Sequence, residues 1–151
     1  MTKQPVLGIV PSFDDGNGMG VWSDNAKRLF LRRDYFATLS EVGAVPVILS
    51  PDMDIDQIIT LCDGIIISGG ADIDPACYGQ DRVEQVVKIE PVERFDWEKV
   101  LIEACDKVAL PILGICYGMQ RLNVHYGGDL MQQFTLVVGD LVEQFGAERE
   151  I

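Results

Sequence analysis

The most informative stretch of this chain is Pro-Ile-Leu-Gly-Ile-Cys-Tyr-Gly-Met-Gln, at residues 111–120. An apolar run ends near Gly114, Cys116 follows it, and a segment of helical period begins directly afterwards. This order is typical of a nucleophile elbow, a sharp strand-to-helix turn that exposes its central side chain at the carboxyl edge of a sheet. Gly114 and Gly118 allow close backbone approach on either side. The helix would direct its first amides and positive dipole end at the sulfur, which favours a thiolate.

On both sides of this segment, short apolar runs alternate with longer segments of helical period. Strands are predicted at residues 6–10, 45–49, 64–68 and 111–115, and helices at 25–42, 55–62, 97–107 and 117–126. The alternation predicts an α/β fold with an open, mostly parallel sheet and helices on both faces. A length of 151 residues with 48% hydrophobic side chains suits a single domain, residues 1–151.

The charge and composition of the chain exclude several classes of partner. Its 24 acidic and 12 basic side chains give a formal charge of −12, which repels nucleic-acid phosphates and anionic lipid head groups. The first residues lack the apolar stretch of a signal peptide, and the sequence has no apolar span of about 18 residues. We therefore expect a cytoplasmic protein that binds a small molecule, with no nucleic-acid or membrane partner.

The four cysteines show neither a C-x-x-C pair nor histidine partners at metal-ligand spacing. A disulfide framework and a metal site are therefore not expected. Cys62, Cys77 and Cys105 are expected to pack as small apolar side chains, which leaves Cys116 as the candidate nucleophile.

Three polar segments are expected to have structural roles and not to form ligand sites. The glycine-rich loop 14–20 lacks the spacing of a dinucleotide fingerprint and carries two acids, so a polar loop is expected, with a lid as the alternative. The aspartates in 52–56 resemble the start of a calcium loop, but Gln57 stands where that turn needs glycine, and helix capping by Asp54 is favoured. The charged residues in 94–99 are expected to form an exposed helix start, with the crevice rim as the alternative.

The loop 68–75, Ser-Gly-Gly-Ala-Asp-Ile-Asp-Pro, leaves the third predicted strand with paired glycines. Taken alone, it fits a tight turn whose aspartates cap local amides as well as it fits an oxyanion donor. Its strand is expected to neighbour the elbow strand. That position favours the donor, because an amide of this loop would then lie beside the amide of Tyr117.

The elbow and this glycine loop together resemble the class I glutamine amidotransferase-like superfamily, and most closely its γ-glutamyl-γ-aminobutyrate hydrolase branch within the γ-glutamyl hydrolases. The similarity is carried by 63–75 with Tyr78-Gly79, by 111–120, and by 122–124 with Gly127-Gly128. It covers most of residues 5–134 and implies a flavodoxin-like fold that lacks the family's C-terminal part.

The resemblance implies a cysteine hydrolase without a cofactor. Cys116 would attack a γ-glutamyl carbonyl and form a thioester, while the backbone amides of Gly70 and Tyr117 stabilise the oxyanion. Gly69 and Gln120 would bind the substrate. Gln120 lies about one helical turn after the nucleophile, within reach of the glutamyl α-groups.

Two departures from the family pattern affect the expected activity. Tyr117 stands where this branch often has arginine, which alters the expected leaving-group preference. The family's C-terminal His-x-Glu motif has no match, and the single histidine, His125, lies nine residues after Cys116. On one helix this spacing places it on the opposite face, about 13 Å along the axis, so His125 is not expected to act as the base.

Three functions remain open on the sequence. The first is a γ-glutamyl hydrolase, or a fragment of one, with weak or absent activity in this chain. The second is an amidotransferase subunit that supplies ammonia to a synthetase partner, and the third is a non-catalytic γ-glutamyl binding module. Lack of the C-terminal part would expose a sheet or helix surface, so self-association into a homo-oligomer is expected.

Overall fold

A computed structural model describes residues 3–16, 26–83 and 88–132. Its elements, in chain order, are β1 Val6–Val10, β2 Ser12–Asp14, β3 Arg28–Phe30, α1 Arg33–Glu41, β4 Val45–Ile48, α2 Ile55–Leu61, β5 Gly64–Ile67, a 3₁₀ helix Pro75–Tyr78, α3 Val92–Val108, β6 Ile112–Gly114 and α4 Tyr117–His125. None of the helices in these described ranges has the length and the apolar composition that a membrane span needs.

The main sheet has the strand order β4-β1-β5-β6, and every neighbouring pair is parallel. This confirms the predicted α/β fold with an open parallel sheet, and the four strands coincide with the predicted ones to within a residue at each end. In the pairing of β5 with β6, Ile67 lies opposite Gly114. The glycine loop and the elbow therefore leave adjacent strands at the same edge, as predicted.

Helices cover both faces of the sheet unequally. The connection from β1 to β4 runs in one direction across the sheet, whereas the connections that contain α2 and α3 run in the other. Because such crossovers are right-handed, α1 lies on one face and α2 and α3 lie on the opposite face. Contacts between α3 and α4 place α4 beside α3.

The hydrophobic core lies under α2, α3 and α4. Ile58 of α2 and three residues of α3 are fully buried there, together with alternate residues of β5: Leu101, Ile102, Cys105, Ile65 and Ile67. Val100 and Val108 of the same helix are 52% and 57% exposed. The buried stripe of α3 is therefore narrow.

The helix predicted at 25–42 is wrong over its first part. Arg28–Phe30 is a strand that pairs antiparallel with Ser12–Asp14, and α1 begins only at Arg33. Residues 17–25 lie outside the described part of the chain, so the loop 14–20 is described only through Gly16. Gly16 donates its amide to the Asp14 carboxylate, which is local turn chemistry.

Helix ends elsewhere follow the predicted signals. The Asp54 side chain accepts a 3.0 Å hydrogen bond from Gln57 N and caps α2, which confirms capping for this aspartate segment. Helix α4 ends where Gly127 adopts a φ of +86° and Gly128 N donates to Asn123 O. Helix α3 starts at Val92, five residues earlier than predicted.

Candidate active site

Cys116 occupies a strained turn between β6 and α4. Its φ of +53° and ψ of −108° lie in a region that residues with a side chain rarely adopt, and the residue is exposed. A Cβ on Gly114 would lie 2.4 Å from the Gly118 backbone, and one on Gly118 would lie 2.2 Å from the carbonyl oxygen of Ile67. Only glycine fits at both places, which is the backbone geometry of the predicted elbow.

The glycine loop lies directly beside this cysteine. A Cβ built on Gly69 would be 3.7 Å from Cys116 Cβ and 3.7 Å from the hydroxyl oxygen of Tyr35. Gly69 N donates to that hydroxyl at 3.0 Å. The amides of Gly70 and Tyr117 donate no hydrogen bond to any described residue. Tyr117 is the first residue of α4, where an amide has no partner within the helix.

A buried ion cluster contacts both the glycine loop and Tyr117, the residue after the nucleophile. Its members are Glu90, Arg94, Glu98 and Arg121. The Arg94 guanidinium is fully buried, with Nη1 3.1 Å from Glu90 Oε2 and Nε 2.8 Å from Glu98 Oε1. Tyr117 donates its hydroxyl to Glu98 Oε2 at 3.0 Å, and its ring packs 4.0 Å from the Arg94 Cζ. Arg121 Nε lies 3.4 Å from Glu98 Oε2. The exposure expected at 94–99 is therefore wrong for Arg94 and Glu98, whereas Asp96 and Lys99 are exposed as expected.

Burial and the neighbouring charges together shift the pKa values of the cluster residues. Burial opposes the charge of Arg94, but the Glu98 and Glu90 carboxylates raise its pKa above the ordinary value. Burial raises the pKa of Glu98, against the opposing effect of Arg94. The pKa of Tyr117 is raised well above its ordinary range, first by burial and then by Glu98. Tyr117 therefore stays protonated and remains a hydrogen-bond donor to Glu98.

The side chain of Tyr117 does not face the crevice. It is only 1% exposed and points into the ion cluster, so the phenol does not reach the crevice. The changed leaving-group preference expected from the lack of an arginine stays a prediction. Tyr117 is the first residue of α4, and its side chain extends toward Glu98 of α3. Its contribution to the crevice is therefore limited to its backbone amide.

Gln120 lies on the glycine-loop side of α4. Its amide nitrogen donates to Cys116 O at 3.1 Å, as the first turn of a helix requires. Its partly buried side chain lines a small cavity of about 60 Å³ with Asp72, Ile73 and Tyr78. Asp74 caps the following 3₁₀ helix by accepting from Ala76 N at 3.0 Å, so the loop combines local capping with its position beside the nucleophile.

His125 lies at the opposite end of α4 from Cys116. It lies at the last turn of α4, with Nε2 3.6 Å from Asp106 Oδ2 and its ring edge-on to Tyr126. This position agrees with the expectation that His125 is not the base for Cys116.

The cysteines divide as predicted. Cys62 and Cys105 are buried and Cys77 is half-buried, whereas Cys116 is exposed. Burial raises the pKa of Cys62 and Cys77, and it raises that of Cys105 to about 11.

Sequence reasoning missed the ion cluster and Tyr35. One signal for the cluster was available, because Glu90, Arg94 and Glu98 are spaced by four and continue the stripe of Leu101 and Cys105. Charged side chains in register with an apolar stripe indicate burial with partners. Tyr35 gave no such signal, since its contact with Gly69 depends on how α1 crosses the sheet.

A family model described as Peptidase C26 matches residues 5–145. The match and the elbow beside a glycine loop define a protein of the class I glutamine amidotransferase-like group. Within that group, the chain belongs to the peptidase C26 family.

Relatives carry two kinds of name. The chain is 35% identical over 87% of its length to a putative glutamine amidotransferase-like protein of Rickettsia prowazekii, covering 47% of that protein. It is 34% identical over 91% of its length to a putative glutamine amidotransferase of Mycobacterium tuberculosis, covering 44% of it. It is 28% identical over 85% of its length to the γ-glutamyl-γ-aminobutyrate hydrolase of Escherichia coli O157:H7, covering 48% of it. The chain thus spans about half the length of these curated relatives.

Proposed function

We propose that this edge of the sheet is the active site of a cysteine hydrolase that cleaves γ-glutamyl amides. The observation that carries the proposal is the strained, exposed conformation of Cys116 directly beside Gly69. Strain of this kind costs about 1–3 kcal/mol and persists where the surrounding structure enforces it, which is common at active sites. The named relatives support the same class of substrate.

The reaction follows from the groups at this edge. The Cys116 thiolate adds to the γ-carbonyl carbon, and the carbonyl oxygen becomes an oxyanion that the amides of Gly70 and Tyr117 stabilise. Each such donor contributes about 3–4 kcal/mol in comparable sites. Collapse of the tetrahedral intermediate breaks the C–N bond, and the amine leaves with a proton taken from water. A second water then hydrolyses the γ-glutamyl thioester to the free carboxylate and the Cys116 thiol. The Gln120 amide and the Gly69 backbone bind the glutamyl group.

This chain supplies the attacking group and the oxyanion donors, whereas its one histidine is paired with Asp106 at the far end of α4. We therefore expect slow or undetectable turnover of γ-glutamyl-γ-aminobutyrate by the 151-residue chain alone. Turnover typical of an intact hydrolase would contradict this expectation.

Covalent labelling tests the site without requiring turnover. The probe is an L-glutamine analogue in which a chloromethyl ketone replaces the carboxamide, and chloroacetone is the reference for a ketone without the glutamyl group. Mass spectrometry should find the probe on Cys116, more rapidly than chloroacetone, and Cys116→Ser should abolish the fast phase. Equal rates for the two ketones would contradict a γ-glutamyl site.

The second candidate is a glutaminase subunit that supplies ammonia to a synthetase, favoured by the amidotransferase names of the more similar relatives. Protection from labelling distinguishes the two. Glutamine should protect Cys116 at lower concentration than γ-glutamyl-γ-aminobutyrate if the site is an amidotransferase site, and the order should be reversed in a hydrolase. If the chain binds glutamate but the probe labels Cys116 no faster than chloroacetone does, the chain is a binding module instead.

A further inference from the structure

The Glu90–Arg94 ion pair contacts three consecutive peptide units of the glycine loop. Arg94 Nη2 donates to Ser68 O at 2.9 Å, and Arg94 Nη1 donates to Gly69 O at 3.4 Å. The third unit is held through its nitrogen, because Ala71 N donates to Glu90 Oε1 at 2.8 Å. Glu90 precedes α3 and Arg94 lies within it. This one ion pair thus holds the backbone of residues 68–71.

Because a peptide unit is planar, these contacts also determine the direction in which the Gly70 N–H points. In a trans peptide unit the C=O and the N–H point to opposite sides. The unit joining Ser68 and Gly69 shows where those sides lie, since its carbonyl meets Arg94 and its N–H meets the Tyr35 hydroxyl. The next unit also points its carbonyl at Arg94, so the Gly70 N–H is directed to the side of Tyr35.

Cys116 lies on that same side. Cys116 Cβ and the Tyr35 hydroxyl are each 3.7 Å from the Cβ position of Gly69, whereas a Cβ on Gly70 would collide with Arg94 Nη1 and Glu90 Oε1, each at 2.4 Å. The ion pair and the nucleophile therefore lie on opposite sides of the loop. A side chain at position 70 would therefore have to displace the ion pair.

We propose that Arg94 and Glu90 are positioning residues that aim the Gly70 amide at the oxyanion formed on Cys116. This inference deepens the proposed function and rests on it. Arg94 is suited to the task because its planar guanidinium can hold two carbonyls and two carboxylates at once, and full burial restricts its movement. A lysine in its place keeps the positive charge but offers a single nitrogen.

The test compares Arg94→Lys with Arg121→Lys. Arg121 is also a buried arginine of the cluster, but it contacts Glu98 and Phe95 O instead of the glycine loop. The readout is the labelling rate of Cys116 by the chloromethyl ketone probe divided by its rate with iodoacetamide. Addition to the ketone forms an oxyanion, whereas iodoacetamide alkylates by direct displacement and forms none.

In Arg94→Lys we expect this ratio to fall about ten-fold or more, since loss of an oxyanion donor costs 10²–10³ in comparable sites. In Arg121→Lys we expect a smaller decrease, because this arginine contacts Glu98 and not the loop itself. Amide hydrogen exchange of Ala71 provides a readout independent of the probe, and it should accelerate in Arg94→Lys alone. An unchanged ratio together with unchanged Ala71 exchange in a folded Arg94→Lys variant would overturn the inference.

Failure of the proposed function gives a different pattern. If the wild-type chain reacts with the probe no faster than with chloroacetone, the γ-glutamyl site is wrong, while Ala71 exchange still reports whether Arg94 fixes the loop. Circular dichroism establishes that each variant is folded. If Arg94→Lys does not fold, Glu90→Gln tests the same contact, because it keeps the side-chain shape and removes the ion pair. It should lower the ratio, and an unchanged ratio would overturn the inference.

Discussion

On the face covered by α2, α3 and α4, long side chains and even ionic groups are fully buried, whereas on the other face α1 contains no fully buried residue. There Tyr35 and Leu39 line an open groove with Ile66 and Leu113, and Leu113 is 56% exposed. The elbow joins both environments, since Tyr117 reaches the ion cluster while Cys116 lies near Tyr35. The site is therefore held by a fully buried cluster on one face and by a partly buried tyrosine hydroxyl on the other.

Gly118→Ala should produce the largest effect, because it disturbs the well-packed face. Its Cβ would lie 2.2 Å from a backbone carbonyl of β5, which cannot move without displacing the sheet. We expect a loss of about 3 kcal/mol or more in the free energy of unfolding, measured in urea. The control is Gly43→Ala after α1, where φ is +79° but no atom lies within 4 Å. It should cost about 1 kcal/mol, and equal losses would contradict the comparison.

Alkaline pH should weaken the same face. The unfolded Cys105 thiol ionises near its ordinary pKa of 9.0, whereas burial raises the pKa in the folded chain to about 11. Its contribution is therefore complete below pH 9 and is lost as the pH rises to about 11, by at most about 3 kcal/mol. Cys62 and Tyr117 act in the same direction. Urea unfolding between pH 8 and about 11 should show a smaller decrease in Cys105→Ala, and identical slopes would exclude this thiol as a cause.

Two tyrosines on opposite faces offer a matched pair. Tyr117→Phe removes a buried donor from Glu98 and should cost about 2 kcal/mol. Tyr35→Phe removes a partly buried acceptor of Gly69 N and should cost less than about 1 kcal/mol. Thermal unfolding of both variants measures the difference, and a greater loss in Tyr35→Phe would show that α1 is the firmer support.

Leu113→Ser should have the smallest effect on stability, within about 0.5 kcal/mol, because the side chain is already more exposed than buried. Its expected effect is on self-association through the open groove, which light scattering measures as a lower average mass. Leu61→Ser is the control, since Leu61 of α2 is 45% exposed on the other face. A wild-type chain that is monomeric at high concentration would contradict the self-association prediction.

The backbone of the site was predictable from local sequence. Apolar runs bounded by glycine and proline located the sheet, and the glycines around Cys116 located the elbow, because both signals lie within a few residues. Parallel neighbours at one edge then placed Gly69 beside the cysteine.

The support of the site was not predictable in the same way. Burial of Arg94 and Glu98 depends on Tyr117 and Arg121, which lie about 20 residues further along the chain and meet them only when α3 and α4 pack. Residues 28–30 were misassigned because Leu29 fits the apolar period of a helix, whereas pairing with β2 determines its structure.

The backbone angles of Cys116 have a consequence for natural selection. Glycine adopts such angles without strain, so a residue with a side chain makes the turn less stable by about 1–3 kcal/mol. Selection for stability alone would favour glycine at position 116. The cysteine there therefore records a compromise, in which the protein retains a less stable turn in order to present a thiol.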